Sequence, residues 1–166
     1  QFEQMFGSLE LNYEFGNDLT LTSVTGFYDV DQQSLLNIST TTQYGPLAAL
    51  QGNLERDDFT EELRLTSDYD GSLNFMLGAF YHDGNSSYLN ANSANQAPLY
   101  QFFWTRLAGR PSAPLSLGTG RSDVHTEALA VFGHVLWKMT PELELGAGAR
   151  GTNEDRSQQF VNLIPT

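Results

Sequence analysis

The side chains in this 166-residue chain that could do chemistry fall into a few neighbourhoods. Asp57, Asp58, Glu61 and Glu62 form the densest acidic run. Side chains alternate along a strand, so Asp57 and Glu61 share one face and Asp58 and Glu62 the other. Two carboxylates on one face supply the oxygen ligands that Ca²⁺ takes, and a solvated rim is the plainer reading. Asp29 and Asp31 read the same way, because the Gly and distal Glu of an EF-hand do not follow them. His82, His125 and His134 lack metal-ligand spacing such as H-E-x-x-H, which leaves them hydrogen-bonding roles and predicts no metal site. No G-x-S-x-G nucleophile string occurs, and "GTG" at 118–120 opens no helix pattern. The chain is therefore expected to be no enzyme, with no catalytic residue and no cofactor. Binding chemistry has better support. "LYQFFWTRLAGR" at 99–110 places Tyr100, Phe103 and Trp104 beside Arg106 and Arg110. Aromatic faces with guanidinium groups suit sugars, aromatic chelates and carboxylates, whereas the plainer role is packing of the loop on itself. Tyr44 is a lesser candidate of the same kind.

Composition narrows the partners. Twenty Asp and Glu against eight Lys and Arg leave a net charge of −12, and Lys138 is the sole lysine. Recognition of a nucleic-acid backbone needs clustered positive charge, so no nucleic acid is expected as partner. Absence of cysteine excludes disulfides, thiolate catalysis and Cys-type metal sites. No apolar run approaches the 18 residues of a membrane-spanning helix. A mean hydropathy of −0.33 leaves a transmembrane barrel open, since its strands alternate apolar and polar residues. The chain begins at Gln1 without an initiator Met or a signal peptide, as a mature product or a piece of one does.

The elements that must position these residues read as six strands in three hairpins. Strands are expected over 5–15, 19–35, 56–69, 73–82, 121–137 and 143–157, joined by tight turns at 16–18, 70–72 and 138–142. The hairpins thus cover about 5–35, 56–87 and 121–157, with long connections at about 38–54 and 84–120. Short turns alternating with long loops, and strands longer than the usual ~5–6 residues, match transmembrane barrels better than sandwiches. The last strand puts Leu143, Leu145, Ala147 and Ala149 on one face and Glu144, Gly146, Gly148 and Arg150 on the other. Aromatics collect beside the short turns, at Tyr13, Phe15, Tyr69, Phe75 and Trp137, where an interfacial girdle would sit.

Three strings carry a resemblance. "LTLTSVTGFYD" at 19–29, "FTEELRLTSDYDGSLNFMLGAFYH" at 59–82 and "EALAVFGHVLWKMTPELELGAGARGTNEDR" at 127–156 resemble, in order, barrel strands of TonB-dependent outer-membrane receptors. The match follows the strands, about two-thirds of the chain, and leaves out both long loops. It implies an all-β, antiparallel up-and-down transmembrane β-barrel, of which this chain supplies about six strands of a 22-stranded type. The family's plug domain and TonB box have no counterpart in the chain, so an interior section of such a barrel is expected. The implied function is to bind and import a scarce ligand, a siderophore, glycan or similar chelate, across the bacterial outer membrane. The implied partners are outer-membrane lipid, the small-molecule ligand, and the TonB complex through a plug not in this chain. Glu62, Arg64, Glu144 and Arg150 would then line the lumen, with Arg64 and Arg150 as ligand-binding candidates. The alternative is a small autonomous β-barrel or sandwich acting as a surface binding or structural module.

Overall fold

The computed structural model describes residues 1–37, 48–94 and 115–163, and these form one six-stranded sheet without a helix. The strands are β1 (Phe2–Phe15), β2 (Leu19–Asn37), β3 (Ala48–Ser67), β4 (Leu73–Ala94), β5 (Leu115–Thr140) and β6 (Leu143–Leu163). Each pairs antiparallel with its neighbour in chain order, an up-and-down meander in which β1 and β6 do not touch. The strands reach further than alternation of residues suggests. Residues 48–54, 84–94 and 115–120, expected in the long connections, are paired in the ladder. Asn, Ser and Gly are poor strand formers alone, but here cross-strand pairing holds them extended, on both sides for most and on the β4 side alone for 115–118.

Register makes the faces easy to state. Every cross-strand pair joins residues of like parity, apart from irregular points at Asn92/Ser93 and Lys138/Thr140. Odd-numbered side chains therefore share one face of the sheet and even-numbered ones the other. The odd face carries a belt of exposed apolar residues at the short-turn end of the sheet, including Leu9, Leu11, Leu21, Leu63, Leu77, Val131, Val135 and Leu145. Tyr13, Phe15, Tyr69, Phe75 and Trp137 stand beside the turns at its lower edge, and Phe27, Phe59 and Tyr81 near its upper edge. Followed across the ladder, the upper edge steps toward the turns, from Met5 on β1 through Phe27 and Phe59 to Leu129 on β5 and Ala149 on β6. A belt of constant height crosses tilted strands in just this stepped way.

A sandwich would hide such a face under a second sheet, and no second layer is present among the described residues. The buried apolar side chains are Val30, Ala128 and Ala130, all on the even face. The autonomous barrel or sandwich is therefore not what the described residues form: the sheet is open and single-layered.

Turn chemistry fixes the register. Asp18 takes φ 58°, the left-handed conformation that Asp and Asn tolerate best after Gly, and it closes the β1–β2 hairpin. Between β3 and β4, Asn74 accepts from the Tyr69 amide at 2.7 Å and donates to the Tyr69 carbonyl at 3.0 Å. Buried Ser67 braces the same turn by accepting from the Phe75 amide at 2.8 Å. In the third turn Thr140 Oγ1 accepts from the Leu143 amide at 3.1 Å. Asn74→Ala strips the Tyr69 amide of its partner, so it should lower unfolding stability by about 1–3 kcal/mol, read as a shifted urea midpoint at unchanged slope.

Candidate functional site

The even face gathers nearly all the strand cations. Among the described residues Arg56, Arg64, Lys138, Arg150 and Arg156 lie on it, and Arg121 alone lies on the odd face. Midway along the sheet, Arg64, Gly78, Phe132 and Arg150 form one cross-strand row, and Glu62, Phe80, Ala130 and Thr152 form the next. The Arg150 guanidinium stands 5.5 Å from the ring centroids of both Phe80 and Phe132 and donates from Nε to Thr152 at 3.2 Å. Cation–π contacts orient a charge without neutralising it. Arg150 has no carboxylate partner among the described residues, so its remaining N–H groups are not committed to an ion pair there. Arg64 Nε lies 3.1 Å from Glu62 as an ion pair, but without hydrogen-bond geometry, so that buried N–H has no acceptor.

Gly78 makes this arrangement possible. A Cβ there would run into the Phe132 ring and stand 3.0 Å from the Leu63 carbonyl oxygen, so only glycine lets the ring lie down across β4. The ring then offers its face to Arg150. Gly78→Ala should cost about 1–3 kcal/mol through overcrowding, measured by urea unfolding, while Gly71→Ala, in open space at a turn, serves as the mild comparison.

A second group lies further from the turns on the same face. Asp58 binds Arg56 through two nitrogens, the Nη2 bond being 3.1 Å, and contacts His82 Nε2 at 2.9 Å. Gly84 leaves room for the Asp58–His82 contact, since a Cβ there would collide with both side chains. With Thr126, Glu154 and Arg156 these residues line a hollow of about 260 Å³. A larger hollow, about 500 Å³, opens on the odd face beyond the belt, between Glu55, Asp57, Asn85, Arg121, Asp123 and His125. Five of these six residues are already paired, Asn85 to Asp57 and His125 to Asn85 at 2.9 Å each and Arg121 to Asp123 at 2.8 Å. Well beyond the belt, hydrogen bonds from Arg121 and then Ser87 hold the Asp123 carboxyl below the ordinary carboxylate range. The even face, where a guanidinium remains open, is the better binding surface.

Of the residues that the sequence offers for binding, Arg64 and Arg150 fall in one row three strands apart, about 14 Å at ordinary strand spacing. Tyr44, Tyr100, Phe103, Trp104, Arg106 and Arg110 lie outside the described residues. Phe80, Phe132 and Arg56 escape a reading by motif, and Asp58 and His82, singled out separately in the sequence, meet at 2.9 Å only through the strand register, because what unites all five is the even parity of their numbers. Among the described residues no three His, Asp or Glu side chains are grouped to hold a metal ion.

No family model and no curated protein matches the chain. Solved structures do. The ferric yersiniabactin uptake receptor FyuA from Yersinia pestis superposes with a TM-score of 0.75 at 12% identity over 96% of this chain. The alcaligin outer membrane receptor FauA from Bordetella pertussis gives 0.56 at 17% identity over 96%. The ferric-catecholate import receptor Fiu from E. coli K12 gives 0.57 at 15% over 93%. The chain spans 21%, 23% and 26% of those three proteins. The fold is thus that of a section of barrel wall from TonB-dependent outer-membrane receptors, six adjacent up-and-down strands of it.

Proposed function

We propose that this chain is part of the wall of an outer-membrane TonB-dependent transporter that captures and imports an anionic iron chelate. The belt face then looks at lipid, and the even face looks into the lumen. The short turns lie on the periplasmic side and the long connections on the extracellular side. The observation that carries this reading is the placement of Arg150, a guanidinium braced by Phe80 and Phe132 and without a carboxylate partner among the described residues, directly across the sheet from an apolar belt. An apolar belt on one face excludes water there, so binding chemistry belongs to the other. A carboxylate- or catecholate-bearing chelate would accept hydrogen bonds from Arg150, with Arg64 as a second cation in the same row. The extracellular Tyr44, Tyr100, Phe103, Trp104, Arg106 and Arg110 would make the first encounter. No residue of the chain performs a covalent step in this reading. Import draws its energy from the TonB complex through a plug domain outside this chain.

Two measurements test it. Leu77→Arg puts a charge in the middle of the belt and should cost about 2–4 kcal/mol, blocking recovery of folded protein from the outer membrane. Met76→Arg, one residue away on the lumen face, should leave recovery unchanged; equal loss from both would overturn the assignment of faces. Arg150→Ala should weaken binding of ferric citrate or a ferric catecholate, measured by titration calorimetry, by about tenfold. Unchanged binding of every ferric chelate tried would remove Arg150 from the ligand path.

A further inference from the structure

Far from the short turns, the even face carries a hollow of about 310 Å³ with no charged side chain in its lining. The two other hollows differ from it in kind, since each holds arginine and carboxylate together. Asn90, Gly120 and Asn162 form one cross-strand row along it, and Gly52 continues that row on β3. In the next row toward the turns, Tyr88 and Phe160 stand on either side of Ser122. Both rings reach back over a glycine. A Cβ on Gly120 would stand 3.0 Å from the tip of the Phe160 ring, and one on Gly52 3.2 Å from the Tyr88 hydroxyl. The device is that of Phe132 over Gly78, but here no guanidinium stands over either ring among the described residues. Phe160 remains 63% exposed and Tyr88 43%. Between the two glycines, Asn90 Oδ1 is buried and has no donor among the described residues. Ser122 Oγ accepts from Gln158 at 3.0 Å and keeps its own proton to donate.

We propose that this hollow is a binding site for a neutral sugar ring in its pyranose form. An aromatic face carries negative potential and attracts the weakly positive C–H side of such a ring. Hydroxyls around the rim of the sugar donate to Asn90 and accept from Ser122 and the Asn162 amide. An anionic ligand finds no cation in this hollow. A flat aromatic ligand would cover Phe160 yet leave the amide and hydroxyl beside it without partners, which is costly. The volume lies at the small end of ligand pockets, about 300–1,000 Å³, and suits a single ring. Phe160 stands about 33 Å along β6 from Arg150 at ordinary strand rise, so the two sites are separate. The inference needs only that the even face be open to water, and it holds whether or not Arg150 meets a chelate. The same ring chemistry belongs to a free glycan and to a sugar carried on a larger ligand.

The test is saturation-transfer NMR on the full-length protein, in a detergent without a sugar headgroup, with the methyl pyranosides of glucose, galactose and mannose as probes. At least one probe should receive saturation, strongest at its axial C–H protons. Phe160→Leu and Tyr88→Leu keep apolar bulk but remove the aromatic face, and each should weaken binding about fivefold. Phe160→Tyr should restore it, which separates a lost contact from a misfolded protein. Phe6→Leu removes a lone ring, 76% exposed, from the same face of β1 and should change nothing. Absence of binding by all three probes overturns the site, as does equal binding by both leucine variants or an equal loss from Phe6→Leu. Displacement of the sugar by catechol at lower concentration reveals a slot for flat aromatics and also overturns it. Tighter binding of the matching trisaccharide assigns the site to a glycan chain, and unimproved binding to one sugar on a larger ligand; either upholds it. Chelate binding that survives Arg150→Ala counts against the chelate reading alone and leaves this site standing.

Discussion

A single β-sheet can hide neither of its faces by itself, and in this protein every other feature follows from that. The described strands have no second layer over them, and their buried apolar side chains are limited to Val30, Ala128 and Ala130. Leu77, Val131 and Leu145 stand about half exposed or more on the odd face. In water such a surface is costly, since burial of apolar area is the main favourable term in folding. In the proposed transporter wall lipid removes that cost, provided that each backbone N–H and C=O is paired within the sheet. The ladder does this continuously from β1 to β6. Only the outer edges of β1 and β6 remain open, and in a complete barrel further strands pair with them.

Once one face is given over to an apolar surrounding, polar chemistry has only the other. Five of the six described strand cations sit on the even face, and the sixth lies beyond the belt. The glycines Gly78 and Gly84 are the local adjustment to this crowding, each making room for a side-chain contact that a Cβ would block. Glu61 is the exception on the apolar side, and its carboxylate accepts from two hydroxyl donors, Ser23 and Thr25.

The likeness to receptor barrels at 12–17% identity has the same origin. Alternation, tight turns and an aromatic edge are requirements on residue class rather than on residue identity. Many sequences meet them, so the fold persists where sequence likeness has faded. Ligand preference depends on which few side chains break the pattern, and likeness of fold at this identity carries no information about those.

How much was legible beforehand follows from period and distance. Alternation with period two over strings such as "LNFMLGAF" assigned Leu73, Phe75, Leu77 and Ala79 to one face without coordinates, because a strand has only two faces. The turn residues at 16–18 and 70–72 fixed the hairpins, and pairing then put Arg64 and Arg150 on the same side. The strand extensions over 48–54, 84–94 and 115–120 were not readable, since their Asn, Ser and Gly become strand only through pairing with neighbouring strands. Nor could spacing bring Phe80 and Phe132 to Arg150, or Ser23 and Thr25 to Glu61. Those groups are assembled across strand boundaries, and their meeting depends on the register of pairs such as Thr25 with Glu61 and Phe132 with Arg150. Local sequence determines which way a side chain points; only the pairing of strands decides what stands beside it.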